Sequence, residues 1–138
     1  MQKTLSILKP DVTERHLIGE ILAYLEKNSF TICCLKKIQL TKEQAEGFYA
    51  EHRGRPYFEK LVNYMISAPV VVAVLSGENV ICKYRELMGA TDPAEAAEGT
   101  IRKLYALDKT QNSVHGSDSE EAAIQEIAYF FSDDEIID

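Results

Sequence analysis

The chain has 138 residues, of which 46% are hydrophobic and 27% are charged, a composition typical of one soluble globular domain over residues 1–138. The formal net charge of -7 argues against non-specific nucleic-acid binding, which needs a basic surface. Because no apolar run approaches the roughly 20 residues that cross a bilayer and no signal pattern opens the chain, we expect a cytoplasmic protein without dedicated membrane or nucleic-acid binding.

The first elements are predicted in the order strand, helix, strand. Apolar residues alternate in part over residues 3–9, until Pro10 stops the strand and leaves Lys9 at its end. Apolar residues then recur at helical spacing over residues 17–25, and a β-branched stretch over residues 30–40 predicts the second strand. Lys9 is therefore expected where a strand gives way to a turn.

The middle of the chain predicts two helices. Thr41 followed by Gln44 has the form of a capping box, in which each side chain bonds a backbone N–H of the other residue, and a short helix through Tyr49 follows. Pro56 suits a first helical position, and the apolar face over residues 57–65 continues that helix.

The next signals are a strand, a helix and a long segment without periodicity. An uninterrupted apolar run over residues 70–75 predicts a central strand, and residues 80–88 have helical spacing that Gly89 ends in a left-handed conformation. Residues 89–116 then carry no regular pattern. Irregular loops of this length are uncommon in small domains and are often functional, so we expect the site there.

The last elements complete a fold prediction. Ser117 and Glu120 have the form of a second capping box opening a helix through Ile127, and residues 129–131 are predicted as a final strand. The resulting order of elements is typical of a split β-α-β arrangement, an α+β fold in which helices cover one face of the sheet.

His115 is the candidate for covalent chemistry. It directly precedes the predicted helix start, where unpaired backbone N–H groups and the helix dipole attract phosphate and favour a neutral imidazole with a free lone pair. A nucleophile needs that lone pair, and Glu126 further along can accept a hydrogen bond from the imidazole N–H. On local sequence alone, an ordinary loop residue before a helix cap stays an open alternative. His16 and His52, in charged surroundings, are interpreted as surface residues.

The other candidates also have two interpretations. Lys9, Arg85 and Arg102 are either solvated charges or groups that hold a polyphosphate, because arginine can bond phosphate through several N–H groups at once. Tyr57 and Leu61 are by default core residues. Since the sequence has neither the Gly-x-x-x-x-Gly-Lys-Ser/Thr loop nor the kinase glycine-rich loop, phosphoryl transfer here would not use those devices, and a covalent histidine is the alternative route.

Four segments, at residues 8–11 (LKPD), 55–58 (RPYF), 99–102 (GTIR) and 112–119 (NSVHGSDS), carry a resemblance. With them the chain resembles a nucleoside diphosphate kinase from end to end. The resemblance implies a ferredoxin-like α+β sandwich, with helices packed on a four-stranded antiparallel sheet. It also implies ping-pong transfer of the γ-phosphate of a nucleoside triphosphate to a nucleoside diphosphate through a phosphohistidine at His115.

The resemblance further assigns roles to residues along the chain. It implies that Lys9 and Asn112 contact the sugar hydroxyls, and that the phosphates are held by Arg85, Thr91 and Arg102. Around the nucleophile it implies that Tyr49 lies beside His115, Glu126 orients it, and Ser117 supports Glu126. Magnesium is the expected cofactor, bound mainly by the nucleotide's own phosphates and by no dedicated protein ligand, because Mg²⁺ keeps much of its water.

At the base, the resemblance implies stacking on an aromatic ring and little base selectivity. That ring is Tyr57, where many members have phenylalanine; Leu61 belongs to the same binding region. Lys109 stands where many members place an apolar residue over the base's other face, and its methylene stem can cover the ring. The resemblance also implies a homo-oligomer, either a tetramer or a hexamer. A non-catalytic nucleotide-binding module on the same fold is the competing hypothesis.

Overall fold

The structure, a computed structural model, describes residues 1–137. Its strands are β1 (Gln2–Leu8), β2 (Thr31–Ile38), β3 (Val70–Gly77) and β4 (Val114–Gly116). Its α-helices are α1 (Pro10–Glu14), α2 (Ile18–Lys27), α3 (Lys42–Phe48), α4 (Phe58–Met65), α5 (Val80–Met88), α6 (Ile101–Tyr105) and α7 (Glu120–Phe130), and short 3₁₀ turns occur at Ala50–His52 and Asp133–Glu135. Within residues 1–137, no helix has both the length and the apolar character needed to cross a membrane.

The four strands form one antiparallel sheet in the order β2-β3-β1-β4. The two long apolar strands occupy the centre, where Leu5 of β1 lies opposite Val74 of β3. The short strand β4 pairs with the outer side of β1, with His115 opposite Ile7. This arrangement confirms the α+β class and the four-stranded antiparallel sheet.

The sheet is covered on both faces, which corrects the expectation of helices on one face only. Successive side chains of a strand point to opposite faces, and Val72 packs in one apolar cluster while Val71 packs in another. Helices α3, α4 and most of α7 cover the first face, and α1, α2, α5 and α6 cover the second. An unbroken apolar run such as residues 70–75 is what a strand buried on both faces requires.

Two helix starts differ from their predictions, while the capping box of Thr41 and Gln44 is confirmed. Helix α4 begins at Phe58, two residues after Pro56. Helix α7 is capped by Ser119, whose Oγ accepts from the Ala122 N–H at 3.1 Å, so a box of Ser117 and Glu120 is wrong. Both serines precede the same helix, and local sequence does not distinguish them.

The fourth strand is β4, and the predicted strand at residues 129–131 is wrong because Phe130 ends α7. The segment 89–116 therefore contains both β4 and the short helix α6. Gly89 ends α5 as expected, at φ 87° and ψ -177°, so its φ is positive but its ψ is extended instead of left-handed helical. A Cβ there would lie 2.6 Å from Oγ1 of Thr100, so this close approach requires glycine.

Candidate active site

Six of the predicted site residues line one cavity of about 240 Å³: Tyr49, Arg85, Thr91, Arg102, His115 and Glu126. The cavity opens beside β4, where α3, α5, α6 and α7 converge on the edge of the sheet. A larger cavity of about 430 Å³ lies near Tyr24 and Lys83, but none of the predicted site residues lines it. The smaller cavity therefore holds the candidate site, since it gathers the convergent polar groups.

His115 is oriented by a carboxylate and not by a helix end. Its Nε2 lies 2.9 Å from Oε1 of Glu126, and the Ser117 hydroxyl donates to the same oxygen at 2.7 Å. Ser117 is fully buried and accepts from the Leu5 N–H at 3.3 Å, which ties the group to the central strand β1. With Nε2 engaged by Glu126, the Nδ1 atom of His115 is the one left for a ligand.

The expected helix dipole is not beside His115. Because α7 begins at Glu120, its unpaired N–H groups lie beyond the histidine, which belongs to β4. The carboxylate of Glu126 takes over the orienting role. Gly116 permits this placement, because a Cβ there would lie 2.7 Å from Sδ of Met88 and 2.8 Å from Cδ2 of Tyr84.

The charge of Glu126 is maintained by its partners. Burial acts to raise the pKa of its carboxyl, but the hydrogen bonds from His115 and Ser117 and the charge of His115 act against burial, and the net pKa is lowered. Glu126 therefore stays ionised at neutral pH. An ionised carboxylate at Nε2 favours the tautomer in which Nε2 carries the proton and Nδ1 carries the lone pair.

Lys9 and Asn112 form a buried, bonded pair that does not line the cavity. The Lys9 ammonium donates to Oδ1 of Asn112 at 2.8 Å, and the Asn112 amide donates to the backbone oxygen of Lys109 at 3.0 Å. Burial, followed by repulsion from Arg102, lowers the pKa of Lys9 to about 8, although Asp11 acts in the opposite direction. Lys9 therefore loses its proton far more readily than a surface lysine.

Arg102 both lines the cavity and holds the loop that leads into β4, the strand that bears His115. Its guanidinium donates to three backbone oxygens, those of Gly89 at 3.0 Å, Val114 at 2.9 Å and Asn112 at 3.3 Å. Arg85 and Thr91, in contrast, are exposed at the mouth. Arg102 therefore fixes the loop, whereas Arg85 presents an exposed cation at the mouth.

A buried carboxylate that sequence reasoning missed also fixes this loop. Asp11 accepts from the Ser113 N–H at 3.2 Å and from its hydroxyl at 2.9 Å, and it is bonded by Tyr64 and Arg15. Ser113 has a φ of 71°, a conformation costly for a residue with a Cβ. No local signal links residues 102 positions apart, so this contact was not available to sequence patterns.

Tyr49 contributes a hydroxyl that the protein leaves unpaired. It is 8% exposed, lines the cavity, and its Oη has no hydrogen-bond partner within the described part of the chain. Burial and the charge of Glu126 raise its pKa, so the phenol keeps its proton. A buried donor of this kind is satisfied when a ligand accepts from it.

The base-binding candidates lie outside this cavity. Tyr57 is 47% exposed, and its hydroxyl lies 2.6 Å from Nδ1 of His52. Leu61 is half-buried at the edge of the core, and Lys109 is exposed, with its Nζ 4.0 Å from Asp92. His52 was interpreted as a solvated surface residue, but it lines the cavity together with His115. A short 3₁₀ turn, which the sequence did not indicate, brings it there.

In this α+β fold, a histidine that is oriented by a carboxylate lies in a cavity with two arginines. Such an arrangement defines an enzyme that handles phosphate groups. The family model for nucleoside diphosphate kinase matches residues 2–136, and the chain belongs to that family. It is accordingly a phosphotransferase that binds nucleotides and transfers phosphate between them.

Relatives of known name agree along the whole chain. Nucleoside diphosphate kinases of Glaesserella parasuis and Actinobacillus pleuropneumoniae (strain L20) are 61% and 60% identical over 137 residues, covering 99% of both chains in each case. The structure of the Aquifex aeolicus enzyme superposes with a TM-score of 0.96 at 45% identity, covering 99% of each chain. The Halobacterium salinarum enzyme, solved in complex with CDP, gives 0.95 at 42% identity, covering 99% of this chain and 91% of that one.

Proposed function

We propose that the chain transfers the γ-phosphate of a nucleoside triphosphate to a nucleoside diphosphate by a ping-pong mechanism, with Nδ1 of His115 carrying the phosphoryl group between the two half-reactions. The observation that carries this proposal is the bond between Nε2 of His115 and Glu126 at 2.9 Å. It leaves Nδ1 available in a residue that lines the same cavity as Arg85 and Arg102. A nucleophile, its orienting group and its anion-binding groups thus lie together.

In the first half-reaction, the lone pair of Nδ1 attacks the γ-phosphorus and the bond from that phosphorus to the β-γ bridging oxygen breaks. The nucleoside diphosphate leaves with the electron pair, and the imidazole gains positive charge that the ionised Glu126 stabilises through Nε2–H. In the second half-reaction, a β-phosphate oxygen of another nucleoside diphosphate attacks the phosphorus, and Nδ1 recovers its lone pair. The second half-reaction is thus the reverse of the first and uses the same residues.

The surrounding groups stabilise the charge on the transferring phosphoryl group. Arg85, Arg102 and Thr91 donate to phosphate oxygens, and the unpaired Tyr49 hydroxyl supplies one further donor. Preorganised donors of this kind usually provide the largest part of the rate enhancement. The buried pair of Lys9 and Asn112 would bind the sugar hydroxyls.

Magnesium fits the site as an ion held mainly by the nucleotide. Within residues 1–137 no cluster of three or more His, Cys, Asp or Glu side chains is arranged to hold a metal, whereas the carboxylates of Glu51 and Asp118 line the cavity. These two residues would bind the ion's water molecules, and Mg²⁺ keeps several of its waters in such sites. When bound, the ion neutralises phosphate charge.

The remaining parts of the proposal concern the base and the assembly. Stacking on Tyr57 beside Leu61 and Lys109, with few contacts to base edges, gives little selectivity among bases, because every base has a π-face. The half-exposed ring of Tyr57 supports this. A homo-oligomer, tetrameric or hexameric, in the cytoplasm completes the proposal.

The test is phosphoenzyme formation. Incubation with γ-labelled ATP is expected to give an acid-labile, base-stable phosphoprotein that any nucleoside diphosphate discharges, and His115→Ala is expected to abolish labelling and reduce kcat by about four orders of magnitude. His16→Asn is the matched control, because His16 is exposed at a φ of 59° that asparagine tolerates. Normal labelling and turnover by His115→Ala would refute the mechanism.

A further inference from the structure

His52 connects the phosphate cavity to the ring assigned to the base. It lines the cavity, and its Nδ1 shares a hydrogen bond of 2.6 Å with the Tyr57 hydroxyl. The two rings also touch, with centroids 5.5 Å apart and planes tilted by 58°. Within residues 1–137, this is the only hydrogen bond and the only ring contact of the Tyr57 side chain.

A continuous row of rings leads from the catalytic histidine to this pair. Successive centroids lie 5.4, 5.0, 6.2 and 5.5 Å apart along the series His115, Phe48, Tyr49, His52 and Tyr57. The first three rings are fixed, since Tyr49 is buried and Phe48 packs against the core. The orientation of the Tyr57 side chain relative to His115 therefore depends on the contact that His52 makes.

The physical consequence is preorganisation of an exposed ring. Tyr57 is 47% exposed, so without its partner the side chain would sample several rotamers and lose that freedom when a base binds. Ordering one such side chain weakens binding by about two- to tenfold, whereas a ring already held in place avoids that loss. A phenylalanine at this position has no hydroxyl for His52 to hold.

We propose that His52 is a specificity-determining positioning residue, which holds the Tyr57 ring through its hydroxyl so that the ring receives the base while the phosphates reach His115. This inference rests on the proposed function, because it takes Tyr57 as the stacking ring. It assigns His52 no contact with the reacting atoms. Its effect is confined to acceptors that carry a base.

The experiment measures discharge of isolated phosphoenzyme by two acceptors under single-turnover conditions. One acceptor is ADP, and the other is ribose 5-diphosphate, which has the sugar and the diphosphate but no base. His52→Leu and Tyr57→Phe are each expected to raise the concentration of ADP that gives half-maximal discharge by about two- to tenfold. Neither is expected to change that concentration for ribose 5-diphosphate or the maximal rate with either acceptor.

The double variant supplies the decisive comparison. If both substitutions break one shared bond, His52→Leu combined with Tyr57→Phe will have no larger effect than either alone, because residues that interact are not additive. His52→Gln, which can still bond the hydroxyl, is expected to recover part of the affinity for ADP. Additive effects, or equal losses with both acceptors, would overturn the inference.

Two controls distinguish failure of the His52 inference from failure of the proposed function. Tyr129 is exposed to a similar extent, 44%, and its hydroxyl donates to the backbone oxygen of Gln44; Tyr129→Phe is expected to leave discharge by ADP unchanged. Failure of wild-type protein to form any phosphoenzyme would refute the proposed function itself. Normal phosphoenzyme with unchanged ADP dependence in the variants would refute only the role of His52.

Discussion

The two ends of the proposed nucleotide site are built differently. At the phosphate end, His115 lies in β4 and Glu126 in α7, and the fully buried Ser117 donates a hydrogen bond to Glu126. At the base end, Tyr57 and Lys109 are exposed, and each has one polar side-chain partner in the described chain, His52 and Asp92 respectively. Chemistry requires fixed geometry, whereas stacking on any base tolerates movement. We therefore expect substitutions to cost most at the phosphate end.

Apart from substitution of His115 itself, Glu126→Gln is expected to cause the largest loss of activity at the phosphate end. The amide keeps the size of the side chain but removes the negative charge that stabilises the imidazole when it carries the phosphoryl group. We expect kcat to fall by about 10- to 100-fold, as when other partners that orient a histidine are changed, with a small change in KM. Rapid-quench measurement of phosphoenzyme formation checks this expectation.

Glu121→Gln is the matched control for that variant. Glu121 is exposed on the first turn of the same helix, α7, so it loses the same charge without touching His115. We expect its rate of phosphoenzyme formation to equal that of the wild type. A rate for Glu126→Gln equal to that of Glu121→Gln would mean that the bond at Nε2 does not orient the nucleophile.

A second test at the phosphate end uses the lowered pKa of Lys9, about 8. As pH rises from 7 to 9, Lys9 loses its proton, so nucleotide affinity is expected to fall. The contribution of Lys9 to the free energy of unfolding is expected to rise over the same range. The reason is that lysine titrates near 10.4 in the unfolded chain, which therefore keeps a proton that the folded chain loses. As pH rises, nucleotide affinity is thus expected to fall while the contribution of Lys9 to stability rises.

Lys9→Gln removes both effects of Lys9. We expect about tenfold weaker nucleotide binding at pH 7, equivalent to about 1.4 kcal/mol, and little dependence on pH between 7 and 9. Isothermal titration with ADP and chemical unfolding at each pH measure the two quantities. If Lys9→Gln kept the wild-type pH dependence of affinity, another group would be responsible for it.

Features of the site that depend on residues close together in the chain could be predicted from sequence, whereas features set by distant contacts could not. The periodicity of residues 70–75 and 17–25 predicts β3 and α2, because burial of their faces imposes that period locally. Strand β4 is only three residues long, too short for any period, and its pairing with β1 is set by distant contacts. Those contacts include the hydrogen bonds that Ser113 donates to Asp11, 102 positions away.

The same limit applies to the individual site residues. Local sequence selects His115 as a candidate because of a helix dipole that in fact lies elsewhere, whereas Glu126 orients the ring from another element. The roles of Ser117 and Tyr49 came only from resemblance, since a serine before a helix reads locally as a cap. Local physics thus selects a candidate nucleophile, while the partners of His115 need information about the whole fold.

A third variant tests the packing that places the nucleophile. In Gly116→Ala the new Cβ would lie 2.7 Å from Sδ of Met88 and 2.8 Å from Cδ2 of Tyr84, so β4 has to move. We expect a loss of about 1–3 kcal/mol in the free energy of unfolding and a fall in kcat, measured by urea unfolding and steady-state assays. Gly19→Ala in α2, with no heavy atom within 4 Å, should lose no stability, because alanine favours helix.

The smallest effect is expected at the base end, from Lys109→Ala. The side chain of Lys109 is 76% exposed and its Nζ is 4.0 Å from Asp92, an ion pair that water screens strongly. Lys109→Ala removes the methylene stem that is proposed to cover the base and one screened charge, so we expect KM for ADP to change by less than about threefold. Lys27→Ala, on the last turn of α2, controls for loss of one positive charge.

Ribose 5-diphosphate, the acceptor without a base, shows whether Lys109 acts on the base or on the phosphates. If Lys109 covers the base, the small rise in KM will occur with ADP and not with ribose 5-diphosphate, whereas a general loss of positive potential would affect both diphosphates alike. A rise above tenfold with ADP alone would contradict the distinction between the two ends. It would mean that an exposed lysine stem fixes the base as firmly as buried groups fix the phosphates.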